Sequence, residues 1–83
     1  MDAAKSLDAE PLESIERELR LVREAISLVA GGASQRVVLA GIEHGEELLD
    51  TGRRLALAAG VRMVRLSREI DGPADLAVER IRD

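Results

Sequence analysis

Cysteine, phenylalanine, tyrosine and tryptophan are absent from this chain, and histidine occurs once. Without cysteine the chain forms no disulfide and no thiolate metal site, and one histidine cannot make a histidine-rich site within one chain. Without aromatic rings there is no stacking platform for nucleic-acid bases. The core must therefore be built from Leu, Ile, Val, Ala and Met, which bury less area per residue than aromatic side chains do.

Long apolar runs are also absent. No run approaches the ~18 residues of a membrane span, and the segment Met1–Ser6 lacks the basic and then apolar regions of a signal peptide. We therefore expect a cytoplasmic protein that does not associate with membranes.

The length of 83 residues allows one small domain, residues 1–83, with residues 1–7 as a frayed polar start. A core of this size supplies only ~3 to 5 kcal/mol, and association with a partner commonly supplements it. The composition and the length together favour a homodimer, or a complex with another protein.

The first element is a long helix. Asp8 is a suitable N-cap, Pro11 falls in the first turn, and the helix is predicted to run to Ala30 and to end at Gly31–Gly32. Its apolar residues repeat at intervals of three and four, which is typical of a helix that packs along its whole length. This seam consists of Leu12, Ile15, Leu19, Val22, Ile26 and Val29, and a second apolar row consists of Leu21, Ala25 and Leu28.

Residues 36–66 predict a strand, a crossover helix and a second, parallel strand. The apolar runs Val37–Ile42 and Val61–Leu66 are the strands, and Glu46–Ala59 is the helix, which ends at Gly60. The fold class is therefore α/β: a small α-β-α-β domain with one βαβ unit and a short C-terminal element.

An all-α four-helix bundle is the alternative, because Val38, Ile42, Gly45 and Leu49 also follow a helical spacing. Gly41 and Gly45 count against it, since each costs ~1 kcal/mol inside a helix.

The C-terminal element is open between two structures. Residues 70–74 have the composition of a turn, and residues 75–81 suit either a returning strand or a helix. Residue propensity favours the helix. A sheet of two parallel strands is unstable alone, so with a helix here we expect another subunit to complete the sheet.

A phosphate site and a catalytic histidine are the two chemical hypotheses for the segment between the first strand and the following helix. The segment Gly41–Gly45 resembles the place where α/β folds hold phosphates, since a helix N-terminus attracts anions. The neighbouring carboxylates would repel an anion, and His44 has neither a nucleophile nor a second imidazole beside it. We predict no enzyme, no catalytic, cofactor-binding or metal-binding residue, and no cofactor.

Charge is unevenly distributed within the formal total of −4. Residues 51–68 contain no Asp or Glu and five arginines: Arg53, Arg54, Arg62, Arg65 and Arg68. Such a block either meets phosphate or an acidic partner, or pairs with acidic residues of its own chain or of a second subunit. Pairing between protein segments is favoured, because bases have no aromatic platform and the chain has no overall excess of positive charge.

The function predicted from the sequence is that of a non-enzymatic regulatory or scaffold module acting by protein association. The first helix is expected to supply the interaction residues Leu12, Ile15, Leu19, Leu21, Val22, Ile26, Leu28 and Val29. The alternative is a small ligand- or nucleic-acid-binding domain that uses the arginines of residues 53–68.

Overall fold

A computed structural model of the chain describes the backbone of residues 2–66 and 73–81 and the side chains of residues 13–66 and 73–81. Helices and strands are both present, so the α/β prediction is confirmed and the four-helix bundle is excluded. The elements in chain order are α1 (Asp2–Ala30), β1 (Arg36–Ile42), α2 (Gly45–Ala58), β2 (Val61–Arg65) and β3 (Ala74–Arg80).

The three strands form one sheet in the order β1-β3-β2. The central strand β3 runs antiparallel to both of its neighbours, so β1 and β2 run parallel to each other, as predicted, but do not pair. The βαβ unit is therefore split by a strand that comes later in the chain. The prediction of a buried parallel strand at β1 is wrong in this respect, because β1 is an edge strand with one exposed face.

The C-terminal element is a strand, so the preference for a helix at residues 75–81 was wrong. Leu76 and Val78 are fully buried on the helix side, and Ala77 is buried on the other side. The central position outweighs residue propensity, because β3 pairs along both of its edges and buries both of its faces. The expectation that another subunit completes the sheet was wrong too, since β3 does so within the chain. Of the predicted turn, residues 70–72 lie outside the described residues.

Both helices pack on one face of the sheet. The C-terminal third of α1 supplies the most deeply buried part of its seam, and α2 contributes Leu48 and Ala56. Opposite them lie Val61 and Met63 of β2 and the helix-facing side chains of β3. The buried aliphatic cluster is Val22, Ala25, Ile26, Val29, Ile42, Leu48, Ala56, Val61, Met63, Ala74, Leu76 and Val78.

The helix boundaries differ from the predicted ones by different amounts. In the structure α1 begins at Asp2, six residues before the predicted N-cap Asp8. Residues 2–7 include Ala, Lys and Leu, which are strong helix formers. The other helix, α2, starts and ends one residue earlier than predicted, and Ala59 is its exposed C-cap.

Glycine ends both helices, as predicted. Gly32 follows α1 with φ of 84° and Gly60 follows α2 with φ of 80°. Both values lie in the left-handed region, where glycine carries no Cβ penalty.

A β-bulge interrupts β1 between Leu39, which faces Leu76, and Ile42, which faces Ala74. Gly41 adopts φ of 66° there, and its N–H donates to Oδ1 of Asp75 at 2.9 Å. The extra residue returns Ile42 to the helix side of the sheet, where it is buried.

Candidate functional site

The N-terminus of α2, the proposed phosphate position, already holds a carboxylate of the chain. The backbone N–H of Glu43 donates to Oε2 of Glu18 at 2.7 Å, and that of His44 donates to Oε1 at 2.9 Å. Glu18 thus engages the two N–H groups that directly precede α2, and its negative charge complements the positive end of the helix dipole. This contact was not predicted from the sequence, because Glu18 lies on α1, 25 and 26 positions before its partners, with no local signal.

His44 is the N-cap residue of α2, and its side chain makes no capping hydrogen bond. It is half-buried. Of the neighbouring carboxylates, Glu46 is paired with Arg65 at 3.1 Å. Within residues whose side chains are described, no group of three His, Asp, Glu or Cys side chains is placed to hold a metal ion.

The described arginines of residues 53–68 are divided between α2, which carries Arg53 and Arg54, and β2, which carries Arg62 and Arg65. Their ion pairs are within the chain: Arg54 with Asp50 at 3.4 Å, Arg62 with Glu79 at 3.1 Å and Arg65 with Glu46 at 3.1 Å. Arg53 is exposed on α2, and Arg68 lies outside the described residues. Pairing within the chain, which the sequence favoured, accounts for three of these arginines.

A cavity of about 380 Å³ lies at the end of the sheet where β1 begins and β3 ends. Ligand sites of this size are usually lined by apolar and aromatic side chains with a few polar groups. Here the lining is mostly polar, with a single aliphatic residue, so it lacks the usual character of a ligand site. The lining residues are Gln35, Arg36, Glu79, Arg80 and Ile81.

An apolar groove runs between α1 and β1. Leu21 and Leu28 of α1 are 43% and 39% exposed, which is large for aliphatic side chains that flank a core. They line the groove together with Glu24, Ala25 and the half-buried Val37 and Leu39 of β1. Its volume of about 180 Å³ is below the range of typical small-molecule sites. The groove is therefore better suited to contact with another protein than to binding a small molecule.

The sheet face turned away from the helices, here called the open face, carries an apolar row of its own. Cross-strand pairing places Ala77 between Val38 of β1 and Val64 of β2. Val38 is 50% exposed. The next row is charged, with Glu79 of β3 between Arg36 and Arg62.

No other strand of residues 2–66 and 73–81 pairs with the outer edge of β1, and this unpaired edge lies between the groove and the apolar row of the open face. Val37 and Leu39 point to the groove, and Val38 points to the open face. This edge was not predicted from the sequence, although one signal was present: no charged residue occurs between Arg36 and Glu43.

The predicted interaction residues divide into three groups. Val22, Ile26 and Val29 belong to the core of the chain itself, and Ile15 and Leu19 pack against it. The second apolar row of α1 supplies the exposed residues, Leu21 and Leu28. Leu12 lies outside the residues whose side chains are described.

Neither helix of the described part of the chain has a stretch both long and apolar enough to cross a membrane. In comparisons with known proteins, no protein-family model, curated protein or solved structure matches this chain.

Proposed function

We propose that this protein is a non-enzymatic regulatory or scaffold module that acts through protein association, as a homodimer. The observation that carries the proposal is the exposure of Leu21, Leu28 and Val38 around the unpaired edge of β1. The cytoplasmic location is part of the proposal and rests on the sequence alone.

Aliphatic side chains that stay exposed to water do not contribute the stabilisation that burial would give. Burying a leucine or valine that is otherwise exposed contributes ~1.5 to 3 kcal/mol. Small domains have only ~5 to 15 kcal/mol of net stability, so a few half-exposed side chains are a substantial fraction of it. An interface that covers Leu21 and Leu28 would recover part of this free energy.

The alternative function, binding of a nucleic acid or another anion by the arginines of residues 53–68, has less support. Three of these arginines pair with carboxylates of the chain, and Glu18 occupies the α2 N-terminus. A salt titration separates the two functions, because phosphate-driven affinity falls steeply as the salt concentration rises. A protein that acts only by association shows no nucleic-acid binding to titrate.

The test is the solution mass by sedimentation equilibrium at micromolar concentrations. We expect twice the monomer mass for the unmodified chain. Leu21→Asp and Leu28→Asp should shift the mass toward the monomer while the circular dichroism spectrum stays unchanged.

Leu57→Asp is the matched control, because Leu57 is 66% exposed on α2 and does not line the groove. It should leave the mass of the dimer intact. A monomeric mass for the unmodified chain across this concentration range would reject self-association.

A further inference from the structure

The two outer strands of the sheet differ in how their free edges are protected. The five residues of β2 include Arg62 and Arg65, and charged side chains on an edge strand hinder pairing with another chain. The only charged residue of β1 is its first, Arg36, and Val37–Ala40 are all apolar. An edge of this kind is a template for one more extended strand.

The hydrogen bonds to β3 show which backbone groups of β1 point to the free edge. The N–H of Arg80 donates to the carbonyl of Gln35 at 3.3 Å, so these residues form a hydrogen-bonded pair just before Arg36 pairs with Glu79. Hydrogen-bonded and non-hydrogen-bonded pairs alternate in an antiparallel ladder. Val37 and Leu39 therefore bond to β3.

The backbone N–H and C=O groups of Arg36, Val38 and Ala40 consequently point outward. On the other side of β3, the N–H of Leu66 donates to the carbonyl of Asp75 at 2.8 Å. This bond agrees with the same alternation, because Asp75, Ala77 and Glu79 then bond to β2, and Leu76, Val78 and Arg80 bond to the β1 side.

We propose that a second copy of this chain pairs its β1 with β1 in antiparallel orientation, with the two-fold axis at Val38, and joins the two sheets into one. The proposal rests on the self-association proposed above and specifies its geometry. With the axis at Val38, this residue faces Val38 of the second copy. Arg36 of each copy faces Ala40 of the other. Each of these pairs exchanges two hydrogen bonds, so all three outward-facing residues are satisfied.

The apolar surfaces match in this arrangement. The axis stands perpendicular to the sheet, so both pairs of helices lie on the same side. Val37 then faces Leu39 of the second copy beneath the two grooves, and the exposed Leu21 and Leu28 of both copies lie above this pair. On the open face, the row of Val38, Ala77 and Val64 continues into the same row of the second copy.

The charges match as well, and this favours a second copy over a foreign strand. Arg36 lies opposite the small side chain of Ala40 of the second copy. Asp75 of that copy lies one strand further on, about 4.8 Å away, and on the same face. Each Arg36 guanidinium thus reaches over Ala40 toward a carboxylate, and no like charges face each other along the two paired β1 strands.

Cysteine cross-linking tests this register, because the chain has no natural cysteine. In a hydrogen-bonded antiparallel pair the Cα atoms are about 5.5 Å apart, within the range that a disulfide spans. Mild oxidation of Val38→Cys should give a covalent dimer on a non-reducing gel. Val64→Cys, in the same apolar row but on β2, is the matched control and should stay monomeric on that gel.

Proline and lysine at the same position test the edge by a second route. Val38→Pro removes an N–H that points outward, as proline on an edge strand requires, and should give a folded monomer. Val38→Lys places like charges opposite each other on the axis and should raise the dimer dissociation constant about tenfold or more. Val38→Thr keeps the β-branched shape and should remain dimeric.

The outcomes separate this inference from the proposed function. A dimer that is lost in Leu21→Asp but kept in Val38→Lys, with cross-linking of Val38→Cys no faster than that of Val64→Cys, would overturn the β1 pairing and leave self-association standing. A monomeric unmodified chain would overturn both.

Discussion

The two edges of the sheet are built differently, although β1 and β2 belong to the same split βαβ unit. On the β2 side, Met63 is 3% exposed and packs beneath α2 beside Gly52. On the β1 side, Leu39 is only partly buried and Val38 is half exposed. The helix-facing side of β2 is thus buried more completely than that of β1, and the β1 side of the sheet keeps more apolar surface exposed.

Close approach of α2 explains the better burial at β2. A Cβ added at Gly52 would overlap Sδ of Met63 and lie 3.3 Å from Cγ1 of Val22. The absence of a side chain thus lets α2, β2 and α1 meet without a gap. The groove lies at the other edge, beneath Leu21 and Leu28.

The largest expected loss of stability comes from truncating a buried side chain of β2. Met63→Ala should lower the free energy of unfolding by about 2 to 5 kcal/mol, because it leaves a cavity in the core. Leu39→Ala removes a side chain of similar size from the partly buried edge and should cost less. Urea unfolding of both variants at the same protein concentration checks this order. An equal loss of unfolding free energy at the two positions would contradict the difference between the two edges.

Filling the close contact on the β2 side should have the next largest effect. Gly52→Val forces Met63 and Val22 to move and should cost about 1 to 3 kcal/mol. Thermal or urea unfolding measures it.

The double variant Gly52→Val/Met63→Ala provides the control for the close contact. It should be more stable than the sum of the two single losses predicts, because the new side chain occupies the space that Met63 leaves. Strict additivity would mean that the two residues do not share this contact.

Removing the Glu18 carboxylate from the N-terminus of α2 should lower the stability by a smaller amount. Glu18→Ala removes the carboxylate that accepts from Glu43 and His44 and should cost about 0.5 to 2 kcal/mol, as other N-terminal caps do. Glu16→Ala is the control, because Glu16 is exposed on the same helix. Equal unfolding free energies for the two variants would show that this cap contributes nothing.

The smallest effect is expected at the surface ion pair of the protected edge. Arg62→Ala breaks the pair with Glu79, in which the side chains are 56% and 25% exposed, and should cost about 0.2 to 1 kcal/mol. The loss should shrink in high salt, because salt screens exposed charges. A loss that stays constant in unfolding experiments from low to high salt would point to lost packing instead.

Patterns confined to neighbouring residues were predictable from the sequence. The seam of α1 repeats at helical spacing, and its second row placed Leu21 and Leu28 apart from the most buried residues. The ends of both helices followed from Gly32 and Gly60. These features depend on local backbone preference and on a helical period, which a single segment carries by itself.

The sequence by itself thus determined α1, β1, α2 and β2, the α/β class and the absence of aromatic and thiol chemistry. Only the tertiary structure decided that residues 74–80 form the central strand, that Glu18 caps α2 and that β1 remains a free edge. Each of these depends on groups that are distant along the chain and adjacent in space. A strand's pairing partners and burial are set by the elements around it, and its own residues leave that choice open.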